Sequence, residues 1–254
     1  DKDAEDIHAL ALKGDESFMR FDWDNSKNDL PNLLQIWETN QQMLSYDMQI
    51  KIRIDEDPEN KHPIPEFLAG LTFRDNLSDM YGLSLFKFDE YEDKKSLPSD
   101  FYDWDLTSGS VYVVLWKSVA DSYSLLASHE IVDEDNVLID DVLQDWSTLA
   151  VSIKEVIDEN GNRLNEISGY LRGPDTYPYG TIDWDWDLYR EVITITDSSL
   201  TTENFDANKP DTPPAMGLHI ITTKHALDKD QVYVTDMSIQ FNSNSGSPSS
   251  VEQY

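Results

Sequence analysis

Residues 46–54 alternate strictly between apolar and polar side chains. The apolar positions share one face of an extended chain and are Tyr46, Met48, Ile50, Ile52 and Ile54. The intervening positions are polar and are Asp47, Gln49, Lys51 and Arg53. A period of two residues is typical of an antiparallel strand that buries one face and exposes the other. The segment therefore predicts a half-buried strand.

Similar segments recur along the chain and are rich in β-branched and aromatic residues, which favour strands over helices. The predicted strands are 46–54, 67–74, 80–88, 111–117, 122–130, 146–154, 167–173, 191–196, 217–224 and 231–241. Strands in this number with short polar connections predict an all-β fold, a two-sheet antiparallel jelly-roll β-sandwich. Its predicted core is Trp37, Ile50, Ile52, Leu71, Phe73, Leu83, Leu85, Val113, Leu115, Leu149, Val151, Ile220 and Ile239.

One or two short helices are expected near the N-terminus. Residues 29–37 place leucines and a tryptophan at helical spacing, while residues 4–13 fit either a helical turn or an edge strand. We expect an N-terminal segment over 1–16, the sandwich over 17–241 and a low-complexity tail over 242–254.

The charge of the chain excludes several classes of partner. It has 19 Lys and Arg against 50 Asp and Glu, a formal net charge of −31, and no cysteine. Nucleic acid and anionic lipid both require a basic surface, so neither is an expected partner. The absence of cysteine excludes disulfides and thiolate metal sites. No apolar run reaches the roughly 18 residues that a membrane helix needs, so no membrane insertion is expected. Because the sequence begins at Asp1, we expect that a targeting segment was removed.

Four sequence blocks in a fixed order carry a resemblance to a known class of domain. Their motif positions are Ala69, Gly70, Leu71, Phe73, Arg74, Tyr81, Gly82, Trp146, Leu149, Val151, Gly169, Gly173, Gly217, Leu218, Val232, Tyr233, Asp236 and Ile239. This order resembles the concanavalin A-like, laminin G-like β-sandwich domains of bacterial extracellular proteins, some of them appended to prepilin-type surface proteins. The resemblance implies a sandwich that lies outside the cell or on its surface. It does not imply one function, since such domains include lectin-like modules, calcium-binding adhesion domains, glycosidases and lyases.

Aromatic residues beside carboxylates are the candidate ligand-binding residues. Asp-Trp-Asp occurs in three segments, 22–24, 103–105 and 183–187, and in residues 181–189 the alternation places Trp184 and Trp186 on one face. Indole faces can stack on sugar rings while the carboxylates accept hydrogen bonds from hydroxyls. The predicted platform is Tyr102, Trp104, Tyr177, Tyr179, Trp184 and Trp186. The alternative, that these tryptophans belong to the core, is the commoner fate of tryptophan.

Clustered loop carboxylates are candidate calcium ligands, because calcium takes 6–8 oxygen ligands. The candidates are Asp133 and Asp135 in one loop and Asp158 and Asn160 in another. The alternative is a solvated acidic surface, since the EF-hand spacing is absent and the chain is acidic throughout.

Catalytic patterns are missing from the sequence. The Glu-x-Asp-x-x-Glu pattern of sandwich glycosidases is absent, and none of the 5 histidines lies in a recognisable motif. The net charge of −31 would also repel an anionic polysaccharide. The sequence therefore predicts a non-catalytic extracellular or cell-surface module that binds a glycan or a surface protein, in a pilus- or secretion-associated setting. Two alternatives stay open: a polysaccharide hydrolase or lyase with carboxylates near Trp184 and Trp186, and a structural subunit of a surface assembly.

Overall fold

The chain folds into two packed antiparallel β-sheets. The computed structural model describes residues 10–12, 16–21, 45–55, 66–75, 79–90, 97–120, 122–132, 146–173, 189–201, 215–222, 231–241 and 249–253. The strands are β1 (Leu10–Leu12), β2 (Glu16–Phe21), β3 (Tyr46–Asp55), β4 (Phe67–Asp75), β5 (Met80–Lys87), β6 (Tyr112–Val119), β7 (Ser122–Glu130), β8 (Ser147–Ile157), β9 (Arg163–Arg172), β10 (Arg190–Asp197), β11 (Ala215–Thr222), β12 (Gln231–Phe241) and β13 (Ser249–Gln253). A four-residue helix, α1, spans Ser99–Tyr102.

Within the described residues, the strands form one seven-stranded and one six-stranded sheet. The seven-stranded sheet has the order β1-β12-β3-β8-β9-β10, with β13 also paired to β12. The six-stranded sheet has the order β2-β11-β4-β5-β6-β7. The predicted fold class, a two-sheet antiparallel β-sandwich, is confirmed.

The core lies between the two sheets. It consists of the apolar residues that alternate with polar ones along the strands. The apolar face of β3 packs on the apolar faces of β4, β5 and β6, and Gly169 on β9 allows Leu83 of the opposite sheet to approach closely. The predicted core residues with described side chains are all buried: Ile50, Ile52, Leu71, Phe73, Leu83, Leu85, Val113, Leu115, Leu149 and Val151. The other predicted core residues are Trp37, which lies outside the described residues, and Ile220 and Ile239, whose side chains are not described.

A second apolar cluster covers the outer face of the six-stranded sheet. The segment around α1 folds back over this face and inserts Phe101, whose ring centroid lies 4.4 Å from that of Trp104 and 6.3 Å from that of Trp116. Trp116 is fully buried and lies across Gly82, its cross-strand partner. Both faces of the six-stranded sheet are therefore buried in its centre, which leaves this sheet little open surface there.

Several elements differ from the sequence prediction. Strand β2 and strand β13, which lies in the predicted tail, were not anticipated, and neither was α1. The predicted helix over 29–37 lies outside the described residues. Residues 10–12 form an edge strand, as one of the two alternatives for 4–13 held. No helix in the described part of the chain is long and apolar enough to span a bilayer.

Candidate functional site

The outer face of the seven-stranded sheet carries a concentration of long polar and aromatic side chains. Because the alternate residues of β3 point inward, Gln49, Lys51 and Arg53 belong to this outer face. Strand β9 alternates in the same way and contributes Tyr170 and Arg172. Sheet pairing therefore gathers polar residues that are about 120 positions apart in the sequence.

The register aligns these residues in rows that cross the sheet. Lys51 on β3 pairs with Thr148 on β8, and Thr148 pairs with Arg172 on β9. The next row joins Gln49, Ala150, Tyr170 and Glu191, and the row after that joins Asp47, Ser152, Ser168 and Thr194. Residues directly opposite each other in an antiparallel pair share one side of the sheet, so all three rows face outward.

Strand β8 has short side chains where its neighbours have long ones. Its outward residues Thr148, Ala150 and Ser152 lie between the long side chains of β3 and those of β9. We call this depression along β8 the trough. Its floor is buried at Thr148 and Ala150, and its β3 wall is buried at Asp47 and Gln49. Lys51 and Arg172 on its walls are half-buried. From Thr148 to Ser152 the floor is about 13 Å long, the length of a short oligosaccharide.

Each arginine of the trough lies against an aromatic ring. The guanidinium carbon of Arg53 is 5.3 Å from the ring centroid of Trp146, and that of Arg172 is 5.7 Å from the ring centroid of Tyr189. The Tyr189 hydroxyl also donates a hydrogen bond to Oε1 of Gln49. Since Tyr189 precedes β10 and Gln49 lies on β3, the tyrosine side chain crosses the middle of the trough. Cation–π contact and the hydrogen bond together hold these groups in place.

Tyr170 stands in the middle row of the trough. Its hydroxyl lies 3.3 Å from Oε2 of Glu191 and donates to that oxygen. Burial is the main cause that raises the pKa of Tyr170, and the charges of Glu191 and Asp47 add to it. The phenol is therefore protonated at neutral pH and serves as a hydrogen-bond donor.

The structure places two of the predicted platform residues on the other sheet. Trp104 is 8% exposed and packs against Phe86 and Phe101 in the outer cluster of the six-stranded sheet. Tyr102 is half-buried, and its hydroxyl lies 2.8 Å from both carboxylate oxygens of the buried Glu66. Both rings support the packing of α1, so they are not assembled as an open stacking surface. The remaining predicted platform residues, Tyr177, Tyr179, Trp184 and Trp186, lie outside the described residues, and their role stays a prediction.

Of the four predicted calcium ligands, two lie in the described part of the chain and two do not. Asp133 and Asp135 lie outside the described residues. Asp158 accepts hydrogen bonds from the backbone amides of Asn160 and Asn162, and the Asn162 side chain also donates to it. These bonds close the β8–β9 turn and lower the pKa of Asp158. The described residues contain no cluster of three or more His, Asp or Glu side chains. Asp158 and Asn160 alone do not fit the 6–8 oxygen ligands of calcium.

A separate polar cluster lies between the two sheets. The hydroxyl of Tyr81 on β5 donates to Oδ1 of Asp197 at 2.5 Å, and Nζ of Lys117 lies 2.9 Å from Oδ2. Asn165 Nδ2 and the Leu200 amide lie 3.4 and 3.3 Å from the same hydroxyl and donate to it. Tyr81 is fully buried, so no ligand reaches its hydroxyl. The cluster joins the sheets and is structural.

Asp197 makes folding sensitive to acid. Burial by itself raises the pKa of Asp197, but hydrogen bonds from Tyr81, Ser199 and Lys117 outweigh that effect and lower it overall. An aspartate whose pKa is lower in the folded state stabilises the fold at pH values above its unfolded pKa of about 3.9. This contribution is lost as the pH falls through the folded pKa. We expect urea midpoints measured from pH 6 down to pH 2 to fall less steeply for Asp197→Asn than for the wild type below about pH 4. Identical slopes would contradict this role for Asp197.

Sequence reasoning assigned the polar face of 46–54 to solvent and missed the trough. A signal was present, because this short segment holds two of the few basic residues of an acidic chain. Residues 168, 170 and 172 repeat the alternation with Ser, Tyr and Arg. What the sequence lacks is the register that aligns the two segments across β8.

Comparison with known proteins gives distant structural likenesses. The sequence matches no protein-family model and no curated protein. The CBM2 module of the evolved Dit of Lactobacillus casei BL23 phage J-1 is similar with a TM-score of 0.41 and 7% identity, over 89% of this chain and 67% of that chain. The alginate lyase Aly36B bound to an alginate trisaccharide is similar with a TM-score of 0.41 and 8% identity, over 79% and 71%. A further structure of Aly36B gives a TM-score of 0.31 and 8% identity, over 89% and 79%. Both neighbours are β-sandwich proteins.

Proposed function

We propose that the chain is a non-catalytic glycan-binding module that uses the trough of the seven-stranded sheet. The observation that carries this proposal is the outer face of this sheet, where Tyr170 and hydrogen-bonding groups line the trough and the Tyr189 side chain spans it. Sugars are bound by aromatic faces that contact their C–H groups and by polar groups that bond their hydroxyls. The trough combines both kinds of group on rigid strands.

The setting that we propose follows from the sequence resemblance. A concanavalin A-like, laminin G-like sandwich would act outside the cell or on its surface, in a pilus- or secretion-associated protein. A strongly acidic surface keeps such a module soluble. Its partner is then a glycan of the surroundings or of a neighbouring surface.

Tyr189 offers the sharpest test of this function. Affinity electrophoresis through a panel of polysaccharides is expected to retard the wild type in at least one of them. Tyr189→Ala removes the ring that crosses the trough, and we expect at least tenfold weaker retardation, about 1.4 kcal/mol. Tyr189→Phe keeps the ring and is expected to retain more binding than Tyr189→Ala.

Tyr102→Ala is the matched control, because it removes a half-buried tyrosine of α1, which covers the other sheet. Thermal unfolding of each variant separates lost binding from lost folding. A panel that retards no form of the protein would contradict the proposal. Retardation abolished by Tyr102→Ala and kept by Tyr189→Ala would move the site to the six-stranded sheet.

A second candidate function is a polysaccharide lyase. Tyr170 stands beside the row that holds Lys51 and Arg172, and a lyase needs a base near groups that neutralise a uronate carboxylate. The raised pKa of Tyr170 opposes its use as a base. Unsaturated sugar products in the mixtures above, lost in Tyr170→Phe, would establish the lyase in place of the binding module.

The described face does not favour a hydrolase built on Asp47 and Glu191. Their backbones lie in different rows on β3 and β10, three strand spacings or about 14 Å apart, and no described contact joins the two carboxyl groups. Glycosidase carboxylates are about 5–9.5 Å apart. Carboxylates near Trp184 and Trp186 lie outside the described residues.

A further inference from the structure

We propose that Asn160 is a site of spontaneous deamidation, in which the backbone nitrogen of Gly161 attacks the asparagine side chain, and that the β8–β9 turn restrains this reaction. Asn-Gly is the dipeptide in which the attack is least hindered, because glycine has no Cβ beside its nitrogen. The sequence contains Asn-Gly once, at 160–161. The site lies outside the trough and is independent of the proposed function.

The dipeptide stands at the exposed tip of the β8–β9 hairpin. Strand β8 ends at Ile157 and β9 begins at Arg163, and Asn160 and Gly161 are both exposed between them. A Cβ built on Gly161 would meet no atom of the described residues within 4 Å. Water and hydroxide therefore reach both residues.

The reaction needs only water and hydroxide. Hydroxide takes the proton of the Gly161 amide, whose nitrogen then bonds to Cγ of Asn160. The bond from Cγ to the side-chain nitrogen breaks, and that nitrogen leaves as ammonia after taking a proton from water, which regenerates the hydroxide. Water then opens the cyclic imide at either of its carbonyls and leaves aspartate or isoaspartate at 160. Either product adds one negative charge to the chain.

Hydrogen bonds of the closed turn engage the attacking nitrogen. The Gly161 amide donates to the carbonyl oxygen of Asp158 at 3.0 Å, and the Asp158 amide donates to the carbonyl oxygen of Asn162 at 2.9 Å. Gly161 has a φ of 86°, in the left-handed region. These features match the three-residue hairpin loop in which a type I turn precedes a left-handed residue. Asn160 is then the second central residue of the turn, where ψ is about 0°.

Ring closure needs a different backbone conformation. At a ψ of about 0°, the Gly161 nitrogen lies about 120° around the Cα–C bond from Cβ of Asn160, whereas the cyclic imide needs the two atoms nearly eclipsed. The peptide between Asn160 and Gly161 must therefore rotate, and this rotation breaks the hydrogen bond from Gly161 to Asp158. The reaction proceeds from an opened turn, so its rate follows the population of that opened form.

The Asp158 side chain stabilises the closed turn. Its Oδ1 accepts the backbone N–H groups of Asn160 and Asn162, each at 2.8 Å, and its Oδ2 accepts from the Asn162 side chain at 2.9 Å. Hydrogen bonds from Asn162 and Asn160 lower the pKa of this carboxyl, so it is ionised at the alkaline pH that favours the attack. Hydrogen bonds to an ionised acceptor are stronger than neutral ones. Asp158 therefore opposes the opening that deamidation requires.

Ageing of the intact chain in mildly alkaline buffer tests the proposal. Peptide mapping by mass spectrometry follows the change from amide to acid at Asn160, and electron-transfer fragmentation distinguishes aspartate from isoaspartate. We expect both acids at 160, formed at least tenfold faster in urea that unfolds the chain than in the folded chain. Asn162 is the internal control, because the side chain of the following Arg163 hinders the same attack. It should remain an amide over the same period.

Matched variants test the role of the turn. Asp158→Ala should speed the conversion of Asn160 at least threefold in the folded chain and leave the rate in urea within twofold. Glu159→Ala removes an exposed carboxylate from the same loop and should change the folded rate less than twofold. Asn160→Gln lengthens the side chain by one methylene and should abolish conversion at this position. Thermal unfolding checks that each variant is folded.

Each of four results would overturn the proposal. No conversion at 160 in urea would show that the dipeptide is unreactive, and aspartate without isoaspartate would show direct hydrolysis of the side chain. Equal rates in the folded chain and in urea, or an unchanged folded rate in Asp158→Ala, would show that the turn does not restrain the reaction. None of these results bears on glycan binding, because the turn lies at the opposite end of the β8–β9 hairpin from Thr148 and Arg172.

Discussion

Replacing Gly82 with alanine is expected to destabilise the chain by about 3 kcal/mol. A Cβ at this position would lie 2.1 Å from Cε2 and Cζ2 of Trp116, far inside van der Waals contact. The indole cannot move aside easily, because it is fully buried, packs against Phe101 and Tyr123, and donates a hydrogen bond to Ser84 at 3.1 Å. For a chain of this size the melting temperature should fall by about 6–12 °C.

A double-mutant cycle of Gly82→Ala with Trp116→Leu tests whether the clash with the indole causes that loss of stability. In a Trp116→Leu background the clash with the indole is absent, so Gly82→Ala should cost less than about 1 kcal/mol there. Gly169→Ala is the milder comparison, since its Cβ would come too close only to the tip of the Leu83 side chain, at 2.8 Å from Cδ1, and would lie at an ordinary contact distance of 3.5 Å from Cβ of Ile193. Equal losses for Gly82→Ala in both backgrounds would show that the indole is not the obstacle.

Tyr81→Phe is the second large expected effect, a loss of about 2–3 kcal/mol in the free energy of unfolding. The Tyr81 hydroxyl donates to Asp197 and accepts from Asn165 and from the Leu200 amide, all in the interior or at its margin. Removing one oxygen deprives three groups of a partner. The affected contacts join β5 of one sheet to β9 and the end of β10 in the other.

Tyr112→Phe is the matched control for this substitution. Tyr112 is also buried, but its hydroxyl accepts one described hydrogen bond, from the Thr107 amide at 3.0 Å. Chemical unfolding should therefore show a loss of about 1 kcal/mol for Tyr112→Phe. Tyr81→Phe should also reduce the acid sensitivity that Asp197 contributes, since the Tyr81 hydrogen bond helps to lower the pKa of that carboxyl. A Tyr81→Phe protein as stable as the Tyr112→Phe protein would show that the cluster adds nothing beyond a single bond.

The fold was predictable because the strands carry their own pattern. The alternation in 46–54 predicted β3, and the bounds of the predicted strands 122–130 and 231–241 agree with β7 and β12. In each of these segments the order of apolar and polar residues is enough to predict which face is buried. Strand β2 and helix α1 escaped prediction because their formation depends on sheet edges and faces that other segments supply.

The candidate site was much less predictable. The aromatic content of residues 102–104 was visible, but which face of which sheet would receive those rings was not, and Trp104 became part of the packing around α1. The trough depends on the pairing of Lys51 with Thr148 and of Thr148 with Arg172. Register of that kind is fixed by the whole sandwich core rather than by either segment alone.

The strand order also has a consequence for how the chain is made. The edge of β3 that β12 covers is synthesised about 175 residues before β12 itself, a delay on the order of 10–35 s at ordinary elongation rates. During that time β3, with its row of apolar side chains, has an open edge available for mispairing with other nascent chains. A holding chaperone, or translocation across a membrane before folding, would protect it. The yield of folded protein on expression should therefore depend on such protection, even if the finished sandwich is stable.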